Sequence, residues 1–361
     1  MNRKRYTRRE FIKGAIFGAG MLAVQPWLKW TQQAAEWPDA ERLGRNCTGG
    51  WINLRTRPHP EAPIVEKLYE DSVVVWLREV IGEAPGGVFS KRWVETPNGY
   101  LYAPSVQPVW NRPNQPVFDL PTSNLGKGMW AEVTVPYVDI YLKSPPNSPW
   151  LQSVERPRLY YSQVLWVDDV RKNDQGQVLY HVTERYGLDS FWCAAEAFRP
   201  LTTEEVEPIN PEVENKLVVV DLNHQILSCY EDNREVFFCR ISSGGKFNAA
   251  GEAVNTCATP LGDHLIWRKA ISFHMQGGST ESGWDTLGVP WTTLFVGEGV
   301  AIHSTFWHND FGTPRSHGCV NCLPEDSKWV FRWTAPQVGW DPGDITIQWP
   351  QPSTVVRVIE A

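Results

Sequence analysis

The chain has 361 residues, 42% of them hydrophobic and 21% charged, which excludes a disordered polymer or a bundle of membrane spans and leaves room for two or three domains. Its net charge is −7, and because residues 1–35 hold seven Lys/Arg against one Glu, the remainder carries 27 basic and 40 acidic residues, or −13. A body that acidic repels phosphate backbones and excludes nucleic acid as a partner. With 28 Gly and 28 Pro and few long helical patterns, a mainly β chain of short strands and turns is expected. Nineteen Trp suit either aromatic platforms for sugars and peptides or the cores of small β domains.

Arg3-Lys4-Arg5 and the stretch Thr7-Arg8-Arg9-Glu10-Phe11-Ile12-Lys13 precede an apolar run from Gly14 to Leu28. The run is shorter than the ~20 residues of a comfortable membrane span, and this order of basic, apolar and polar segments is that of an export address. Arg8-Arg9 with Phe11 and Lys13 resembles the twin-arginine signal, which implies the twin-arginine translocation machinery as a partner and delivery to the cell envelope, periplasm or cell wall. Ala34-Ala35 offers small residues but no clean Ala-x-Ala, so cleavage and an uncleaved membrane anchor both stay open, and residues 1–35 are set apart from the fold. Seven cysteines (Cys47, Cys193, Cys229, Cys239, Cys257, Cys319, Cys322) are an odd number, so at least one is free or pairs between chains, and no disulfide is assigned.

From Gly50 onward β-type runs at 51–55, 72–77 and 91–95 lead to the Pro97-Asn98-Gly99 turn and Tyr100-Leu101-Tyr102. Asn53-Leu54-Arg55, with the closing Trp93-Val94-Glu95-Thr96 and Gly99-Tyr100-Leu101-Tyr102, resembles bacterial SH3-like domains and implies a first small barrel over 46–110. Pro-rich residues 111–127 read as a linker. Tyr180-His181-Val182-Thr183-Glu184 followed by Phe191-Trp192-Cys193-Ala194 echoes that closing hairpin, and each echo runs into a short exit segment near Pro108 or Pro200. A second, diverged SH3-like domain is therefore expected over 128–203. Modules of this size serve as binding units, here for cell-wall material, or as spacers.

Near Asn215 the pattern changes. Runs at 216–221, 225–230 and 235–241 read as strands around the turn 231–234. Thr259-Pro260-Leu261-Gly262 punctuates before a run at 264–267, and Val300-Ala301-Ile302 follows. A short helix is predicted around Pro324–Trp333, with Pro324 at its start and Glu325 and Asp326 in the first turn. A last strand at 344–349 is expected to end the domain, with 350–361 as a tail.

Ala301-Ile302-His303-Ser304-Thr305-Phe306-Trp307-His308 and Arg315-Ser316-His317-Gly318-Cys319-Val320-Asn321 carry the chemistry. A thiol is a poor nucleophile until ionised, and a nearby imidazole takes its proton or holds the thiolate as an ion pair. Gly318 before Cys319 permits a tight turn, and backbone N–H groups of His317, Gly318 and Cys319 are candidates to converge on an oxyanion.

Ser316-His317-Gly318-Cys319-Val320-Asn321 with His303 upstream resembles the signature of YkuD-type L,D-transpeptidases, over roughly residues 215–349. The resemblance implies two SH3-like barrels followed by a β-rich catalytic domain with a short helix. It also implies acyl transfer on peptidoglycan stem peptides, donor and acceptor, through a thioester on Cys319, with no metal or cofactor. His303 would be the base, its ring held by the backbone carbonyl of Ser304. His317 and Gly318 match the oxyanion wall, Trp307, Ser316, Asn321 and Met275 the substrate-binding side, and carbapenems are expected as covalent inhibitors. An L,D-carboxypeptidase that passes the acyl group to water and an inactive wall-binding scaffold are the alternatives. Cys319-Val320-Asn321-Cys322 is formally a C-x-x-C, and the neighbouring His and Cys could be drawn as a zinc site. The β-rich context and irregular spacing disfavour both. Cys322 and His308 are departures from the family pattern without an assigned role.

Overall fold

A computed structural model describes residues 37–187, 189–245, 257–277, 284–297, 299–348 and 351–360. The export segment expected within 1–35 lies outside them. Among the described residues no helix is long and apolar enough to cross a membrane.

The first module begins with the strand Leu43–Asn46, ahead of the expected boundary at 46. This strand lies between Val73–Val75 and Val106–Val109, while Ile64–Leu68, Ile52–Arg55, Gly99–Tyr102, Arg92–Thr96 and Arg78–Ile81 form a five-stranded sheet in that order. Leu54, Trp76, Val94, Leu101, Ala103 and Val106 make its small core. The second module is a sheet ordered Ser190–Ala194, Val178–Thr183, Val164–Lys172, Met129–Val133 and Phe198–Pro200. The echo read in the sequence recurs in the backbone. In each module an antiparallel hairpin is followed by a 3₁₀ turn, Ala103–Ser105 or Ala195–Ala197, and then by an exit strand that pairs with the module's opening strand. The closed barrels expected for both modules are not found: the strands fall into separate open sheets.

The Pro-rich stretch 111–127 is not a free spacer. Arg112 N donates to Thr134 O at 3.0 Å and Asn114 N to Glu196 O at 2.8 Å, while Val117 N donates to the Tyr180 hydroxyl at 2.6 Å. The N–H groups between the prolines thus find partners on the second module, as semi-buried backbone requires.

In the catalytic region one sheet is ordered Arg234–Arg240, Ile226–Glu231, Lys216–Asp221, Val355–Ile359 and Gly262–Leu265; the other is Val320–Cys322, Val300–Ser304, Trp284–Val296, Arg268–Gly277 and Asp344–Thr346. Val218, Val220, Leu227, Ile302, Val320, Val356 and Val358 of both sheets meet Val330 and Trp333 of the helix Pro324–Trp333 in one core. The expected tail at 350–361 is overturned. Val355–Ile359 runs parallel to Lys216–Asp221 and antiparallel to Gly262–Leu265, because Val356 and Val358 present an alternating apolar face that is buried to 0% and 2% exposure. The long pair Arg268–Gly277 and Trp284–Val296 carries no clean alternation in sequence: Gly288 and Trp291 adopt positive φ and Pro290 sits within the strand.

The modules are joined through buried polar contacts. Arg45, 3% exposed, donates to Asp71 Oδ1 at 2.7 Å, to Gln107 Oε1 at 2.7 and 3.0 Å, and to the Phe306 carbonyl at 2.7 Å. Its guanidinium lies 4.0 Å from the centroid of Tyr160. His274 is held between Glu184 Oε1 at 2.5 Å and Asp285 Oδ1 at 2.6 Å. The two carboxylates outweigh burial and raise its pKa above the usual imidazole range.

Ending the chain at residue 349 removes a strand paired on both edges and two fully buried valines. We expect a loss of about 5 kcal/mol or more of stability, read as insoluble protein or a much lower urea midpoint. An unchanged midpoint would restore the tail reading.

Candidate active site

Two strands far apart in sequence bring the predicted residues together. Val300–Ser304 pairs in parallel with Val320–Cys322, with Ile302 opposite Val320, His303 opposite Asn321 and Ser304 opposite Cys322. Side chains alternate along a strand and partners share a face, so His303 and Asn321 point one way and Ile302, Val320 and Cys322 point into the core. Continued by one residue, the alternation puts Cys319 on the face of His303 and Asn321, beside Ala301. Its thiol donates to the Gly299 carbonyl at 3.6 Å, and the Ala301 N–H faces the sulfur. Cys319 is half-buried.

The imidazole of His303 is 2% exposed, and its Nδ1 lies 2.8 Å from the Ser304 carbonyl. A carbonyl only accepts, so Nδ1 carries the proton and Nε2 presents its lone pair. Burial pushes the pKa of His303 down to about 4, against a small opposing effect of the Ser304 carbonyl. Burial raises the thiol of Cys319 to about 11. The resting pair is therefore thiol and neutral imidazole, and of the two ways an imidazole can activate a thiol the site favours proton transfer during attack over a standing ion pair.

The turn before the nucleophile is held from two sides. Gly318 has φ +120°, a backbone region that side chains avoid; its N–H donates to Ser316 Oγ at 3.1 Å and its carbonyl accepts from Thr259 Oγ1 at 2.8 Å. The Ser316 hydroxyl in turn donates to the Cys319 carbonyl. Two expectations change here. Ser316 is committed to the turn instead of facing substrate, and the Gly318 amide is engaged by that hydroxyl instead of pointing at an oxyanion. The physical cause is the same: a left-handed glycine leaves its amide inside the bend, where a short hydroxyl reaches it. The side chain of His317 is exposed. Met275 lies half-buried on Arg268–Gly277, opposite Thr286.

Three residues without an assigned role in the sequence reading help build the site. Thr259, buried at 2%, ties the Gly244 N–H at 2.9 Å to the nucleophile turn. His308 accepts from Asp310 N at 3.2 Å through Nδ1, and burial, helped by Arg315, lowers its pKa to about 3. Its Nε2 lies 2.9 Å from Asn321 Nδ2. Asn321 is the register partner of His303, so His308 fixes the floor between base and nucleophile. Arg45 grips the loop that carries His308 through Phe306, and Asn309 N donates to Pro104 O at 2.9 Å. Trp307 closes the histidine's flank, its ring 5.8 Å from that of His303.

Cys322 is 0% exposed on the core side. Three positions from Cys319, it has the opposite parity, so the C-x-x-C cannot act as a dithiol.

The described geometry is that of a β-rich domain presenting a thiol and a neutral imidazole on one face of a sheet. A family model for the L,D-transpeptidase catalytic domain, of the YkuD type, matches residues 215–357, and this stretch of the chain is such a catalytic domain. Its match runs through Val355–Arg357, in keeping with the sheet position of that strand. Among solved structures, the catalytic domain of the E. faecium L,D-transpeptidase is 23% identical, covering 40% of this chain and 98% of its own at a TM-score of 0.30. The L,D-transpeptidase from Mycobacterium smegmatis is 15% identical, covering 53% and 98% at 0.31. L,D-transpeptidase 3 from Mycobacterium tuberculosis, solved with a faropenem-derived adduct, is 16% identical, covering 55% and 91% at 0.31. No curated protein matches the chain.

Two outcomes follow for this site. Cys322→Ser should lower stability by about 1–2 kcal/mol by burying a hydroxyl while the rate at which Cys319 is acylated stays at the wild-type value; loss of acylation in a folded variant would revive the dithiol. For pH, His303 is an active base only when neutral, and its pKa is depressed. Acylation should therefore hold its rate as pH falls through 6.5 and decline only on approaching about 4, measured as the acid limb of the acylation rate. A limb centred near 6.5 would show that the ring is not buried as described.

Proposed function

We propose that the protein is an exported L,D-transpeptidase that joins peptidoglycan stem peptides by 3→3 cross-links. The observation that carries this reading is the His303–Ser304 contact at 2.8 Å on a strand whose parallel partner, Val320–Cys322, directly follows Cys319. Cys319 Sγ attacks the carbonyl between the diamino acid at stem position three and D-alanine at position four. As the C–S bond forms, the thiol proton passes to His303 Nε2; when the C–N bond breaks, that proton goes to the departing amine of D-alanine. The amine of a second stem then attacks the thioester; as the C–S bond breaks, the amine's proton passes through His303 Nε2 to the departing sulfur, leaving the thiol and the 3→3 amide. The Cys319 amide is the candidate oxyanion donor, with Trp307, Asn321 and Met275 on the substrate side. The chemistry calls for no metal or cofactor. Export by the twin-arginine route, residence in the envelope and attachment to wall material through the two leading modules complete the proposal.

Incubation with a carbapenem followed by intact-mass measurement should show one adduct, absent in Cys319→Ala, and His303→Ala should slow its formation by about 10²–10⁴-fold with the fold retained. An adduct that persists in Cys319→Ala would place the nucleophile elsewhere. Among the products of stem peptides, 3→3 dimers are expected, and tripeptide alone would mark a carboxypeptidase.

A further inference from the structure

The second module and the catalytic domain meet across one histidine. His274, 7% exposed on the strand Arg268–Gly277, has Nδ1 2.5 Å from Glu184 Oε1 of the second module and Nε2 2.6 Å from Asp285 Oδ1 of the neighbouring strand. A carboxylate oxygen only accepts, so a neutral ring would turn one lone pair against an anion at contact distance. Both contacts are satisfied only when the three groups hold one proton more than a neutral ring between two ionised acids. Gly187 closes over the pair so tightly that a Cβ there would stand 1.8 Å from Glu184 Oε2 and 2.2 Å from His274 Nδ1. The backbone is shaped around this clasp.

Further acids hold the same junction. Asp285 Oδ2 accepts from Ser148 Oγ at 2.7 Å and from Trp150 N at 3.1 Å, and Asp189 accepts from Asn147 N at 2.6 Å and Ser148 N at 2.7 Å. Asp189 and Asp285 add negative charge beside Glu184, so His274 sits among three carboxylates. Farther out, Arg185 lies 5.7 Å from the centroid of Trp130, and Arg268 pairs with Asp344 at 3.5 Å beside Tyr186. The clasp reaches the site through one strand. Asp285, Thr286 and Leu287 line a cleft of about 220 Å³ together with Arg45 of the first module, Tyr160 of the second and Trp307, whose ring is 5.8 Å from that of His303. Leu287 is buried in the core of the second module, and Met275 pairs opposite Thr286.

We propose that His274, clasped by Glu184 and Asp285, is a positioning residue: by holding one proton it docks the second module on the strand pair that carries Met275 and the cleft wall, and so makes acyl transfer depend on external pH. This rests on the acyl-transfer reading above and adds to it a regulator of the same site. The sign follows from the cluster. Burial opposes the charge on His274, and Glu184 and then Asp285 overcome it, raising its pKa above the ordinary 6.5. Burial also raises the Glu184 carboxyl, so the proton stays in the cluster whichever group carries it. Docking is therefore complete below about 6.5 and is lost as pH rises through the raised pKa of the ring. His303 and Cys319 titrate away from 6.5, at about 4 and about 11.

The test follows the full chain from about pH 5 to about pH 9, the range over which an imidazole changes charge. Hydrogen exchange of Val178–Thr183 and Arg268–Gly277, corrected for the intrinsic rate, should show level protection up to about 6.5. Above that, protection should fall about tenfold per pH unit until the ring is neutral, the effect of one proton released, while Lys216–Asp221 does not follow. In His274→Gln the protection of both strands should be low and level throughout. The ratio of wild-type to His274→Gln rates of Cys319 acylation by a carbapenem should be highest below about 6.5 and fall toward one as pH rises. The same pH dependence of protection in both proteins overturns the clasp, and an acylation ratio that stays level overturns the positioning role. If His274→Gln does not fold, Glu184→Gln decides: its loss of protection should begin at a lower pH, and an unmoved onset overturns the proposal. Wild-type protein that is never acylated refutes the acyl-transfer reading instead, since exchange is read without acylation.

Discussion

The parallel pairing of Val300–Ser304 with Val320–Cys322 is the constraint on which the site depends. A parallel pair forms between segments that the chain must bring back together, and its register decides which side chains share a face. With His303 opposite Asn321, base and nucleophile fall on one side while Ile302, Val320 and Cys322 fill the core on the other. A slip of one residue would bury Cys319 and expose Cys322. The apolar side of the two strands therefore holds the reactive side in place.

The pairing alone does not fix the loop beyond His303, and here the rest of the chain contributes. The carbonyl of Phe306 and the backbone and side-chain amides of Asn309 are bonded by Arg45, Pro104 and Ala103 of the first module, and the Phe306 ring stacks 5.5 Å from Tyr160 of the second. A buried guanidinium with four of its five N–H donors answered, and a carboxylate shared with Arg158, makes a rigid joint, because loosening any member leaves a buried charge or carbonyl unsatisfied. From that joint the order passes through His308 to Asn321 and so to the floor of the site. The electrostatics fit this picture: burial that keeps His303 neutral also keeps Cys319 protonated.

Much of this was legible in the residues. The helix at Pro324–Trp333 follows from a proline start with acids in the first turn, and the strands at 216–221 and 300–302 from apolar runs bounded by turns. The strand Val355–Ile359 was not legible as a sheet member, because five residues after a proline-rich bend do not say which edge they will join. The pair Arg268–Gly277 and Trp284–Val296 was hidden by Gly288 and Pro290, whose local preferences oppose a strand and are overruled by pairing with Arg268–Gly277. The roles of Ser316 and Gly318 changed because a donor's direction depends on the bend around it and not on the identity of the residue.

The amino-acid sequence by itself determined the candidate residues: a cysteine after a glycine that permits a tight turn, a histidine ending an apolar run, and the family pattern that joins them. Those are local facts, set by residue type and spacing. Only the tertiary structure decided which face each side chain takes, that Cys322 is a core residue, that His308 and Arg45 order the site, and that the leading modules form one wall of a cleft beside it. These depend on register and on contacts between segments up to 261 positions apart, which no spacing along the chain specifies.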